Sequence, residues 1–71
     1  MSINLRPQIL RALDAAARGS IETARMNVEV YLNNPVGTGE HPNVMAAIQE
    51  QLDVIAKHSE RLDVLKKYFG I

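Results

Sequence analysis

His58 is one of two imidazoles in this chain of 71 residues, and an imidazole held beside an apolar stripe can act as a pH switch or a ligand. The structural alternative is a histidine at the edge of the stripe that bonds to a neighbour or to water. That alternative is the stronger, because a lone histidine rarely makes a site. Glu40 and His41 are adjacent, and a carboxylate beside an imidazole can hold a metal or move a proton. No second histidine stands at i+3 or i+4 to complete a helical ligand pair. Gly37-Thr38-Gly39, just before a helix, could present backbone N–H groups to an anion. The segment lacks both the Gly-Lys-Ser/Thr ending and the preceding strand of a phosphate loop, so turn chemistry accounts for it better. Arg11, Arg18 and Arg25 stand seven residues apart and could track phosphates. Asp14, Glu22 and Glu29 lie three or four residues from them and convert the row into intrahelical pairs. We therefore assign no catalytic, cofactor-binding or metal-ligating residue and expect no small-molecule ligand.

Composition narrows the classes further. Eight Lys plus Arg balance eight Asp plus Glu, which is not the footprint of a nucleic-acid or anionic-membrane binder. Without cysteine there are no disulfides or thiolate ligands, and the usage fits a reducing compartment. No apolar run approaches the roughly 20 residues that cross a bilayer, and the N-terminus has no apolar export segment. The expectation is a soluble cytoplasmic protein without a membrane partner. A single core at this size supplies only about 3–5 kcal/mol, so a small fold needs a staple, and with no disulfide or metal the remaining staple is oligomerisation.

The elements that position these residues follow from periodicity. Residues 33–42 are the only sustained interruption of a helical pattern, and two prolines and two glycines within them, Pro35, Gly37, Gly39 and Pro42, cannot be absorbed into a helix. They are read as a structural turn. Before it, Leu10, Leu13, Ala17, Ile21, Ala24, Val28 and Tyr31 recur at steps of three and four and define a core-facing stripe. Asn4 is the expected cap of a first helix over about 5–32, and Asn33 its left-handed terminator. Gly19-Ser20 could break this helix, but stripe and charges cross it in phase, so one helix is expected. After the turn, Ile48, Ile55, Leu62 and Phe69 repeat every seven residues, flanked by Val44, Leu52 and Leu65. This second helix is expected over about 42–69, with His41 capping it and Pro42 first, Asn43 being the alternative cap. Asp53 and Asp63 stand four residues before Lys57 and Lys67, and Gly70 stops the helix.

Both helices carry apolar residues off their stripes: Ile9, Ala16, Met26 and Val30 on the first, Met45 and Val54 on the second. A two-helix hairpin cannot cover both sets. They are either scattered surface hydrophobes or a docking surface. The fold class expected is all-α, a two-helix antiparallel hairpin forming one domain over 1–71. It is expected to assemble into a dimeric four-helix bundle or larger helical oligomer. The expected self-association residues are Leu10, Leu13, Ile21, Val28, Ile48, Leu52, Ile55, Leu62, Leu65 and Phe69.

Glu29-Val30-Tyr31-Leu32, then Asn34-Pro35-Val36-Gly37 and Gly39-Glu40-His41-Pro42, resemble a family of small helical-hairpin proteins of T-even-type marine cyanophages and ocean metagenomes. The resemblance covers most of the chain and is most specific at the loop. It implies a phage or environmental origin, with life in the cytoplasm of an infected cell or in a virion, and it brings no functional residue with it. The function expected is a non-enzymatic interaction or assembly module that binds itself and a second protein. The competing class is a nucleic-acid accessory protein of phage replication or gene expression, which the zero net charge disfavours.

Overall fold

Proline at the seventh position sets where the first helix can begin. The computed structural model describes residues 3–33 and 43–71; among them it holds two helices, α1 (Arg6–Asn33) and α2 (Val44–Phe69), and no strand. Pro7 is the second residue of α1, where its missing N–H leaves no intrahelical bond unmade. The Leu5 carbonyl accepts from the Ile9 N–H at 2.9 Å, which puts Leu5 rather than Asn4 at the cap position. Asn4 still helps from one residue earlier, its side-chain oxygen accepting from the Arg6 N–H at 3.0 Å. α1 then runs through Gly19 without interruption.

Asn33 does not adopt the expected left-handed terminator conformation. It is the last residue of α1, and no described residue other than glycine has positive φ. Its carboxamide donates back to the Glu29 carbonyl at 2.7 Å and satisfies an acceptor that the helix end would leave open. α2 begins from the alternative cap: the Asn43 side chain accepts from the Ala46 N–H at 2.9 Å. An asparagine oxygen can take this bond directly, which makes it a stronger cap than an imidazole. Gly70 ends α2 in the left-handed region at φ 75°, a conformation that glycine adopts without penalty. The turn residues Pro35, Gly37, Gly39 and Pro42, together with Glu40 and His41, lie outside the described residues.

Two cross-helix hydrogen bonds fix the direction of packing. Arg6 Nη2 donates to the Phe69 carbonyl at 3.4 Å, and Asn27 Nδ2 donates to Gln51 Oε1 at 3.1 Å. The start of α1 therefore meets the end of α2, and its later part meets the start of α2. The seam on α1 is Leu10, Asp14, Ala17, Ile21, Ala24, Val28 and Tyr31, each buried or half-buried; opposite lie Val44, Ile48, Gln51, Ile55, His58, Leu62 and Leu65. Both sets step by four and three, the spacing of a left-handed helix pair.

This register corrects three expected seam positions. Leu13, Leu52 and Phe69 are 45%, 49% and 46% exposed. From Leu10 the next seam step is four, so Asp14 takes the place and Leu13 falls about 100° to one side. Gln51 displaces Leu52 in the same way. Phe69 sits at the end of α2, where only the first turn of α1 remains to cover it. The buried set among the described residues is small: Leu10, Ala17, Ala24 and Leu65. Two of the four are alanines, so the helices approach closely but bury little apolar area. The result is a slender body of 59 × 21 × 15 Å.

Candidate interaction surface

The chemistry-bearing residues come to rest in structural roles or apart from one another. His58 stands in the seam, half-buried, and its Nδ1 is buried with no hydrogen-bond partner among the described residues. No carboxylate or second imidazole joins it in a ligand set: among the described residues no group of three or more His, Cys, Asp or Glu could hold a metal ion. The arginine row is split by pairing. Arg18 Nε donates to Asp14 Oδ2 at 2.9 Å and Arg25 Nη1 to Glu22 Oε1 at 2.8 Å. The hydrogen bond to Glu22, reinforced by its charge, raises the Arg25 pKa above its ordinary value. The Asp53–Lys57 and Asp63–Lys67 pairs do not close; the two arginine pairs are the ion pairs within 4 Å among the described residues.

The expected self-association residues divide into two groups. Leu10 and Leu65 are buried inside the hairpin, and Ile21, Val28, Ile48, Ile55 and Leu62 are half-buried in the same seam. Leu13, Leu52 and Phe69 face outward. Of the off-stripe residues, Ile9, Val30 and Met26 are wetter still, 54%, 58% and 60% exposed, whereas Val54 is half-buried.

On the same side of α1, an open concavity of about 470 Å³ is lined by Ala16, Gly19, Ser20, Thr23 and Ala24 of α1 and by Gln51 and Val54 of α2. It exists because the α1 side chains there are small. Its α1 lining is uncharged, and one polar group is already used: Thr23 Oγ1 donates to the Gly19 carbonyl at 3.0 Å. Sequence periodicity picked out the apolar residues of this face, Ile9, Ala16, Met26 and Val30, but missed Gly19 and Thr23 between them. The signal that could have found them is the missing charge, since neither residue is apolar enough to register in a hydrophobic count.

No described helix is long and apolar enough to cross a membrane. No protein-family model, curated protein or solved structure matches the chain.

Proposed function

We propose that this chain is a non-enzymatic interaction module whose first partner is another copy of itself, forming a homodimer or larger helical oligomer. The observation that carries the reading is the uncovered apolar surface: Leu13, Leu52 and Phe69 are nearly half exposed and Ile9, Met26 and Val30 more than half, and a contiguous exposed apolar face marks an interaction surface. The thin seam supports the same reading, because four buried residues, two of them alanine, leave a small fold in need of a further source of burial. Assembly would then present outer faces to a second protein. With the cyanophage resemblance, the proposed setting is the cytoplasm of an infected cell or a virion. The nucleic-acid reading is the weaker one, since Arg18 and Arg25 already hold Asp14 and Glu22.

The test is association measured across a dilution series, alongside binding to single- and double-stranded DNA at low and physiological salt. A concentration-dependent mass with no salt-sensitive DNA binding supports the module. DNA binding that weakens steeply with salt, by a chain that stays monomeric, favours the other class.

A further inference from the structure

α1 carries a second helical seam on its outer side. From Ile9 to Val30, Ala12, Ala16, Gly19, Thr23 and Met26 follow in alternating steps of three and four. This is the spacing of the seam that faces α2, displaced by about half a turn around the helix. Every one of these residues is exposed, and none is charged. The solvated face of a surface helix normally carries its charges. Here the six charged residues between Ile9 and Val30 all stand off the seam, and the Thr23 hydroxyl is already bonded to the Gly19 carbonyl.

Read in reverse, the seam complements itself. If two copies lie antiparallel, Ala12 meets the partner's Val30, Ala16 the partner's Met26 and Gly19 the partner's Thr23. Each layer then sets a small residue against a larger one, and the residue numbers of all three pairs share one sum, as a single two-fold register requires. The partner's Met26 falls beside the concavity at Ala16 and Gly19, and an unbranched thioether suits an irregular gap. Near the axis the two copies of Glu22 approach each other, but each is held by its own Arg25 at 2.8 Å. We propose that α1 forms a two-fold antiparallel contact with α1 of a second copy, Ala16 against the partner's Met26. This rests on the self-association reading and specifies its face.

The chain has no cysteine, so Ala16→Cys and Met26→Cys each introduce a single thiol. The two variants are mixed, equilibrated and oxidised with oxidised glutathione. A covalent dimer is expected from the mixture and from neither variant alone, because facing positions on packed helices come within disulfide reach. Ala16→Glu should weaken association by about a hundred-fold or more, since it sets an unpaired carboxylate in a dry contact. Its helical circular dichroism should be unchanged, because Ala16 is exposed in the single hairpin; if it is not, the cross-link alone decides. Ala16→Cys linking to itself, or Met26→Cys linking instead to Ile9→Cys, overturns the proposed register. A wild-type dimer that shows no cross-link in the mixture and survives Ala16→Glu overturns the face and leaves self-association standing. A wild-type monomer at every concentration removes both.

Discussion

Replacing leucines one at a time by alanine reads the packing register directly. Leu10 and Leu65 are 8% and 7% exposed, and a buried Leu→Ala change costs about 2–5 kcal/mol. The seam is interrupted by Asp14, Gln51 and His58, so the surroundings can relax and the lower half of that range applies, about 2–3 kcal/mol. Leu13 and Leu52 keep nearly half their surface in water, and alanine is the better helix former, so their replacement should cost about 1 kcal/mol or less. For a domain of this size each kcal/mol moves the melting temperature by roughly 4–8 °C. Urea titration followed by helical circular dichroism, at one protein concentration for all four variants, gives the comparison. Equal losses at Leu13 and Leu10, or at Leu52 and Leu65, would mean that one helix is rotated by about a residue from the seam described here.

Three further substitutions test single features. Asn43→Ala should cost about 1 kcal/mol through the lost bond to Ala46, while Asn43→Asp keeps the cap; equal melting of both variants would refute the capping role. His58→Leu should stabilise the hairpin by about 1–3 kcal/mol, because it removes a buried nitrogen that has no partner. A loss of stability there would show that the imidazole has a bond worth keeping. Gly19→Ala, measured by thermal melting in dilute solution, should stabilise by about 1 kcal/mol, since an added Cβ meets nothing within 4 Å. A lower melting temperature in that regime would place Gly19 in a tighter contact than the hairpin shows.

The two-helix architecture of the described residues was legible because two long periodic runs flank the only cluster of proline and glycine. Continuity through Gly19 was legible for the same reason, since stripe and charges keep their phase across it. The seam was harder to place. Periodicity rewards apolar residues, so it chose Leu13 and Leu52 over the neighbouring Asp14 and Gln51, which the four-three spacing puts on the seam. The start of α2 was misplaced because a proline at the first helical position competes with an asparagine cap at the very next residue, and the hydrogen bond from Ala46 decides between them. The concavity at Gly19 and Thr23 left almost no trace, because it is made by the smallness of side chains on one helix and the approach of Val54 from the other.

Sedimentation equilibrium over a dilution series decides whether the hairpin self-associates. A species of twice the 7.9 kDa chain mass is expected at micromolar concentration, with a melting temperature that rises with concentration. A well-folded species of single-chain mass, melting at one temperature throughout the series, would contradict it.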